Sequence, residues 1–156
     1  MIDITVPGFN HLELRYLVLD YNGTLAIDGT LLPGVGDLLG ELSSHLEIHV
    51  ITADTFGLAA SELAQLPVKL TITPVESQSE AKLAYVEKLG AKHVVAIGNG
   101  RNDRKMLKAA AIGIALIQRE GGSAETLASA DLISTHILDA LNLLKHTKRL
   151  TATLRS

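Results

Sequence analysis

The sequence contains no cysteine, which excludes disulfide bonds, zinc–thiolate sites and cysteine nucleophiles from this chain. It also lacks tryptophan and has only two phenylalanines and three tyrosines. The absence of cysteine suits a reducing compartment, so we expect a cytoplasmic protein. Its six histidines are scattered over different predicted elements and form no ligand set, so we assign them no function. These are His11, His45, His49, His93, His136 and His146.

Strong charge and long apolar runs are missing as well. The formal net charge is −3 and no basic cluster is present, so we expect no nucleic acid partner. No uninterrupted apolar run approaches 18 residues, so we expect no membrane-spanning segment. The N-terminus has neither the basic start nor the apolar run of a signal peptide, which again favours the cytoplasm.

The 156 residues are enough for one domain, and 47% of them are apolar while 20% are charged. We therefore predict a single domain over residues 1–156 with an aliphatic core. Short β-rich runs alternate with helical ones, a pattern typical of βαβ units. The predicted strands are Arg15–Asp20, Leu46–Thr52, Val68–Ile72, His93–Gly98, Ile112–Leu116 and Asp131–Ser134. The predicted helices are Val35–His45, Phe56–Gln65, Ser79–Leu89, Asn102–Ala110, Ser123–Ala128 and, as the last long one, Ile137–Lys145.

The fold class that follows is α/β, with a three-layer, Rossmann-like parallel sheet that carries helices on both faces. Residues 1–14 contain two alternating runs, which favour a strand pair at one edge of this sheet. The segment Leu25–Leu32 alternates around Asp28-Gly29, a dipeptide typical of type I′ turns. We predict a small β-hairpin there, with an irregular loop as the alternative.

Four polar features follow predicted strands, at the sheet edge where α/β proteins bind ligands. Asp20 and Thr52 end two strands, Lys82 lies at the start of a helix, and the segment GNGRND follows the fourth of the listed strands. Taken singly, each has a structural explanation as a turn residue, a helix cap or a solvated side chain. Together they offer a carboxylate, a hydroxyl, an ammonium and a glycine-rich turn, a set that can hold a phosphoryl group.

These motifs resemble those of the haloacid dehalogenase (HAD) superfamily, and in particular the phosphorylation domain of P-type ATPases. DYNGT resembles the ATPase signature of Asp, two variable residues, Gly and Thr, and ITADT resembles its Thr-Gly-Asp motif. KLAYVEKLG repeats the spacing of Lys, Val and Leu, and GNGRNDRKMLKAAAIGIAL resembles the Gly-Asp-Gly-x-Asn-Asp hinge motif with the helix and strand that follow it. Only residues 25–51 separate the first two motifs, so no nucleotide-binding domain lies between them. The resemblance is therefore to a soluble relative without a cap domain, not to a pump.

The resemblance implies an aspartyl-phosphate mechanism with Mg²⁺ as cofactor. Asp20 would be the nucleophile and a metal ligand. Asn22 would give its backbone carbonyl to Mg²⁺, but it stands where HAD phosphatases have a second Asp that acts as general acid and base. An amide cannot do this, so we expect slow dephosphorylation. Phosphate-binding groups would come from Gly23, Thr52, Ala53 and Lys82.

Further site residues are expected in the hinge motif and beside Thr52. Asn99 replaces the usual metal-binding Asp, which removes a negative charge and should weaken Mg²⁺ binding. Asp103 would either bind the metal through water or hold Lys82. Three further candidates are Asp54, Asn102 and Thr24, the last of which we interpret mainly as a turn residue. Arg101 and Arg104 could face an anionic substrate, although a solvated surface is the simpler explanation.

Two functional hypotheses remain open. One is a Mg²⁺-dependent phosphatase or phosphotransferase that acts on a small phosphorylated substrate through Asp20. The other is a phospho-acceptor or phosphate-binding module with little turnover, which the amides at Asn22 and Asn99 would suit; a structural protein on the same fold is a third, weaker hypothesis. Capless HAD phosphatases often cover the site with a neighbouring subunit, and the Leu25–Leu32 hairpin could serve this purpose in a homo-oligomer.

Overall fold

The computed structural model describes residues 1–156 and contains ten strands and seven helices. The strands are β1 (Ile2–Val6), β2 (Asn10–Leu14), β3 (Tyr16–Leu19), β4 (Ala26–Ile27), β5 (Thr30–Leu31), β6 (Glu47–Thr52), β7 (Lys69–Ile72), β8 (Val94–Gly98), β9 (Ile112–Leu116) and β10 (Leu132–Ser134). The helices are α1 (Val35–Leu42), α2 (Ala59–Leu63), α3 (Gln78–Leu89), α4 (Arg104–Ala109), α5 (Ala124–Ser129), α6 (Ile137–Lys145) and α7 (Thr147–Leu154).

Six strands form one parallel sheet in the order β10-β9-β8-β3-β6-β7. The chain moves outward from β3 to β6 and β7, then returns to the other side of β3 and continues through β8, β9 and β10. The order therefore reverses between β3 and β8, which is where open α/β sheets bind their ligands. Each predicted strand of this sheet is present, so the predicted fold class is confirmed.

Side chains from the sheet pack into two layers of helices. On β3, Leu17 and Leu19 belong to the larger apolar cluster, with α1, α6 and α7, whereas Val18 belongs to the smaller cluster, with α3 and α4. Buried strands of this kind appear in the sequence as continuous apolar runs, because both faces are covered. The layers hold the carboxyl ends of β3 and β8 rigidly beside each other.

The N-terminal strand pair forms, but its predicted place in the sheet is wrong. β1 and β2 pair antiparallel as a separate two-stranded sheet and do not extend an edge of the parallel sheet. Alternation in residues 1–14 indicates which side chains are buried, yet it contains no information on which strand is the neighbour. On this strand pair, the potential ligand atoms of Asp3, His11 and Glu13 lie within 4.8 Å of one another.

A further helix, α7, follows the helix that we predicted to be the last long one. It packs against α6 and β1 and buries Leu150 in the larger apolar cluster. Helix α3 begins at Gln78, so Lys82 lies in its second turn and not in the first. No helix in the structure combines the length and the apolarity needed to cross a membrane.

The predicted β-hairpin is present as β4 and β5, which pair through Ala26–Leu31 and Ile27–Thr30. Asp28 and Gly29 at its tip have φ values of 51° and 83°, as a type I′ turn requires. The hydroxyl of Tyr21 donates a hydrogen bond of 2.8 Å to the Gly29 carbonyl and fastens the hairpin to the end of β3. No cap domain is present, and this hairpin is the only projection next to Asp20.

Candidate active site

The carboxylate of Asp20 lies directly after β3 and is fixed by two side chains. Lys82 Nζ lies 2.9 Å from Asp20 Oδ1, and Thr24 Oγ1 donates to Asp20 Oδ2 over 3.2 Å. Lys82 and Thr24 are fully buried and Asp20 is 7% exposed. The Asp20 carboxylate therefore reaches the surface where the strand order of the sheet reverses. The buried side chains of Lys82 and Thr24 fix its orientation.

Lys82 lies between two carboxylates, because its Nζ is also 2.7 Å from Asp103 Oδ1. Burial by itself lowers the pKa of Lys82, but the charges of Asp20 and Asp103 outweigh this and leave that pKa raised. Burial and the nearby Asp20 charge raise the pKa of Asp103 to about 6, against the opposing effect of Lys82. The ammonium therefore stays charged through the neutral pH range, and it compensates two acids.

Asp103 acts as the anchor of the loop after β8. Its Oδ2 accepts hydrogen bonds of 3.0 Å from the backbone N–H groups of Asn99 and Gly100, while Oδ1 holds Lys82. The carboxylate lies against the backbone of Gly98, where a Cβ would collide with it. Of the two roles that we considered for Asp103, the structure shows the one in which it holds Lys82. Binding of the metal through water stays a prediction.

The Asn99 side chain lies over Gly23 and next to Thr24. Its Oδ1 is 3.4 Å from Thr24 Oγ1, and its Nδ2 donates to the Gly121 carbonyl over 3.1 Å. Gly23 has a φ of 81° and no room for a Cβ, which would meet the Asn99 amide. Thr24 is thus both the predicted turn residue and the link between Asp20 and Asn99.

A cleft of about 220 Å³ opens above Asp20. It is lined almost entirely by polar residues and is wide enough for a phosphate group with part of a substrate. The lining residues are Asp20, Asn22, Thr52, Ala53, Asp54, Thr55, Gln78, Asn99, Gly100, Asn102 and Glu120. Seven of the eleven predicted site residues line it, whereas Gly23, Thr24, Lys82 and Asp103 lie behind its wall.

Unused hydrogen-bond donors of the cleft come from the ends of β3 and β6. The backbone N–H groups of Asn22 and Ala53 donate to no acceptor in the protein, whereas that of Gly23 donates to the Ala26 carbonyl over 2.8 Å. Thr52 Oγ1 accepts a hydrogen bond from the Asp54 N–H over 2.9 Å, so its own proton remains free. Gly23 therefore shapes the turn, and the donors that face the cleft belong to its neighbours.

Other predicted residues have protein partners that account for them. Asp54 Oδ1 accepts from the Ala59 N–H over 3.0 Å, and Asn102 Nδ2 donates to Gln78 Oε1 over 2.7 Å. Arg101 and Arg104 approach opposite oxygens of Glu125 at 3.3 and 3.4 Å and do not line the cleft. The structure thus supports the surface explanation for both arginines.

The cleft can also be tested as a magnesium site. Its metal-binding donors would be the Asp20 carboxylate, the Asn22 carbonyl, which accepts no backbone hydrogen bond, and the Asn99 amide oxygen. Mg²⁺ prefers such oxygen ligands and keeps several waters when a protein supplies only one or two carboxylates. The residues fit Mg²⁺, although Asp20 is the single carboxylate among these ligands and provides little charge.

Two residues of the loop after β9 were not anticipated from the sequence, in addition to Thr55, Gln78 and Gly100, which also line the cleft. Gln118 donates through Nε2 to the carbonyls of Gly23 and Thr24 at 3.1 and 3.0 Å, and its Oε1 accepts from Ile137. Glu120 lines the cleft itself. Both belong to the loop after β9, at the same sheet edge as Asp20, and that position was the only signal available.

Comparisons with known proteins agree with this geometry. The family model for haloacid dehalogenase-like hydrolases matches residues 79–139, which contain Lys82, Asn99 and Asp103. An uncharacterised protein of Methanocaldococcus jannaschii is 43% identical over 83 residues, which are 51% of this chain and 89% of that protein. A phospholipid-transporting ATPase of Saccharomyces cerevisiae is 28% identical over 80% of this chain, which spans only 10% of the ATPase.

Solved structures give the same result at the level of the fold. The magnesium, phosphate and KDO complex of a 3-deoxy-D-manno-octulosonate 8-phosphate phosphatase from Moraxella catarrhalis superposes with a TM-score of 0.68 at 20% identity, covering 92% of this chain and 94% of that one. A zinc-transporting PIB-type ATPase has a TM-score of 0.64 at 28% identity, with 80% of this chain and 20% of the ATPase covered. Together with the family match over residues 79–139, these similarities show that the chain has the haloacid dehalogenase-like fold and resembles both the hydrolases and the ATPases that share it.

Proposed function

We propose that this protein is a Mg²⁺-dependent phosphatase or phosphotransferase that acts through an aspartyl-phosphate on Asp20. The observation that carries the proposal is the placement of one carboxylate, fixed by Lys82 and Thr24, at the floor of a polar cleft with free donors around it. A fixed carboxylate can attack phosphorus, and preorganised donors can stabilise the charge on the equatorial oxygens.

Each residue has a distinct part in this reaction. The Thr52 hydroxyl and the N–H groups of Asn22 and Ala53 would bind phosphate oxygens, and Lys82 would keep the Asp20 oxygen in position. Asp20, the Asn22 carbonyl and Asn99 would hold the cation. When bound, Mg²⁺ supplies positive charge that offsets the repulsion between a carboxylate and a phosphate dianion.

Asn22 supplies no proton to the reaction, because an amide cannot act as a general acid. Its side-chain Oδ1 is buried without a hydrogen-bond partner. General acid–base catalysis contributes typically ~10²–10⁴-fold. Replacement of Asn22 by Asp is therefore expected to raise the turnover rate with poor leaving groups.

A phospho-acceptor with little turnover is the second candidate, and the two amides favour it. Asn22 slows the hydrolysis of the aspartyl-phosphate, and Asn99 supplies no charge to the cation. Such a protein would keep its phosphoryl group long enough for it to serve as a signal or as an intermediate for another acceptor. Trapping of a phosphorylated Asp20 separates this function from rapid hydrolysis.

For the substrate class and the setting we propose a small phosphorylated metabolite in the cytoplasm. The 220 Å³ cleft is small and polar, and a structural relative is crystallised with phosphate and KDO. Sugar phosphates, KDO 8-phosphate among them, therefore belong in a substrate panel. A homo-oligomer that covers the cleft with its β4–β5 hairpins remains part of this proposal, and light scattering of the purified chain would detect it.

The deciding experiment measures phosphate release from acetyl phosphate, para-nitrophenyl phosphate and a panel of sugar phosphates, with Mg²⁺ and with EDTA. The proteins are the wild type, Asp20→Asn and Asn22→Asp. Asn is isosteric with Asp, so we expect the Asp20→Asn variant to fold. Thermal unfolding of this variant checks that expectation. Acid quenching followed by hydroxylamine treatment reports any acyl phosphate on Asp20.

Mg²⁺-dependent release that is lost in Asp20→Asn and faster in Asn22→Asp is the result expected for the enzyme. Accumulation of an acyl phosphate on the wild type without release would favour the phospho-acceptor. If all three proteins neither release phosphate nor become phosphorylated, both functions are wrong.

A further inference from the structure

The proposed reaction lacks a proton donor, since Asn22 occupies the place of the usual acid. We propose that Glu120 is the general acid and base of this protein, supplied from the loop after β9. This inference rests on the proposed function and adds a catalytic residue to the same cleft.

Glu120 is identified by comparing the carboxyl groups that line the cleft. Only three of the lining residues have carboxyl groups, and these are Asp20, Asp54 and Glu120. Asp20 is the nucleophile, and Asp54 Oδ1 is bound to the Ala59 N–H. Glu120 is exposed and forms no ion pair with any cation of the protein, and its one partner is the backbone N–H of Asp28 at the hairpin tip. Its carboxyl group therefore remains available to a substrate.

The loop that carries Glu120 is fastened to the nucleophile on both sides. Before it, Gln118 donates to the carbonyls of Gly23 and Thr24. After it, the Ser123 N–H donates to the Asn99 carbonyl over 2.8 Å. A loop between two such anchors keeps a defined position relative to Asp20, and it carries the exposed Glu120 in the lining of the cleft, within reach of a bound substrate.

Burial and nearby negative charge both raise the pKa of Glu120 above its ordinary value. Partial burial raises its pKa, and the carboxylates of Asp28 at the hairpin tip and of Asp20 below raise it further, against a small opposing effect of the Asp28 backbone N–H. A carboxyl group with a raised pKa beside a second carboxyl group is the arrangement by which two acids take different roles in catalysis.

Glu120 transfers a proton in both halves of the reaction. As the bond between Asp20 and phosphorus forms, the bond from phosphorus to the leaving oxygen breaks, and the Glu120 carboxyl group protonates that oxygen. In the second half, the Glu120 carboxylate takes a proton from water as the water oxygen attacks phosphorus and the bond to Asp20 breaks. The products are an alcohol and inorganic phosphate, and Glu120 is protonated again.

The test compares leaving groups in Glu120→Gln, because a general acid matters most where the leaving oxygen is basic. The ratio kcat/KM includes only the steps up to departure of the leaving group. We expect it to fall about 10²-fold for an alkyl phosphate and to stay within about threefold for para-nitrophenyl phosphate. Glu87→Gln is the matched control, since Glu87 is exposed on α3 and forms no ion pair.

A second pair of variants separates catalysis from structure. Addition of Asn22→Asp to Glu120→Gln should restore the alkyl phosphate rate, because an acid is returned to the site. An equal loss with both leaving groups, no loss at all, or no restoration by Asn22→Asp would overturn the role of Glu120 but leave the proposed function intact. Failure of the wild type to turn over any substrate would overturn both.

Discussion

At the scale of single residues, the buried charge of Lys82 organises the site. It is one cation between two carboxylates, and all three groups are at least nine-tenths buried. Removal of one partner from such a group leaves a charge in the interior without compensation, which costs more than the ion pair contributes.

Replacement of Lys82 by Met should therefore lower the free energy of unfolding by about 3–5 kcal/mol and abolish turnover. Urea denaturation at pH 7 measures the first effect. Lys88→Met on the exposed side of the same helix is the control, with an expected change within about 0.5 kcal/mol. A loss below about 1 kcal/mol for Lys82→Met would mean that water reaches the two carboxylates.

Tyr21 gives a prediction on pH dependence. Burial, followed by the charges of Glu62 and Asp54, raises its pKa to about 12. Between pH 10 and 12 the unfolded chain loses the tyrosine proton while the folded chain keeps it, so the stability that Tyr21 contributes is present below pH 10 and is lost above it. Tyr21→Phe also removes the hydrogen bond to Gly29, which is worth about 1 kcal/mol.

The variant should accordingly be less stable than the wild type at pH 8, and this difference should shrink as the pH rises beyond 10. Urea unfolding curves of both proteins at pH 8, 9.5 and 11 measure the difference. A gap that is constant across this range would show that the Tyr21 pKa is the same in the folded and unfolded chains.

At the scale of elements, the sequence revealed the parallel sheet better than it revealed the additions to it. Strands such as β8 and β9 are buried on both faces, so a continuous apolar run identifies them. The alternating runs of β1 and β2 indicate strands too, but pairing partners depend on contacts between distant segments. Helix α7 was missed because its sequence, TKRLTATL, has only Leu150 and Leu154 as apolar side chains at helical spacing.

For the candidate site, too, the sequence does not reveal contacts between distant segments. Asp20, Thr52 and Lys82 were predicted because motifs mark them and because strand ends meet at one edge. Glu120 has no motif, and only the folded loop after β9 brings it into the cleft. Likewise, no pattern could show that Gly23 would donate its N–H to Ala26, since that bond depends on the local geometry of the turn.

Helix α7 offers a test of its place in the fold. Leu150 is fully buried in the larger apolar cluster, so Leu150→Ala should lower the free energy of unfolding by about 2–5 kcal/mol. Phosphate release at 25 °C should remain unchanged, since α7 does not line the cleft. Leu154→Ala, at a half-buried position, should cost less. Equal and small losses in both variants would place α7 outside the cooperative core.

At the scale of the whole molecule, ligands should stabilise the fold through mass action. A ligand at 100 times its Kd contributes about 2.7 kcal/mol, and each kcal/mol raises the Tm of a chain of this size by about 2–4 °C. We expect Mg²⁺ and inorganic phosphate together to raise Tm by more than the sum of their separate effects. The reason is that the bound cation and the bound anion would attract each other within one cleft.

Thermal unfolding with Mg²⁺, phosphate, both, and both plus EDTA measures this coupling. Asn99→Asp adds a carboxylate to the cation site and should reduce the Mg²⁺ concentration that gives half of the effect by about tenfold, which is about 1.4 kcal/mol. Purely additive shifts in the wild type would argue against a cation and a phosphate that share the cleft.

The reversal of strand order at β3 also affects how the site comes into existence. Asp20 and Lys82 are 62 residues apart in the sequence, and Thr24 and Asn99 are 75 apart. Closure of such long loops is slow and comes late in folding. A partly synthesised chain that ends before β8 already contains Asp20 and Lys82 but has neither Asp103 nor Asn99. The complete cleft around Asp20 is thus absent from such folding intermediates and appears only with the completed sheet.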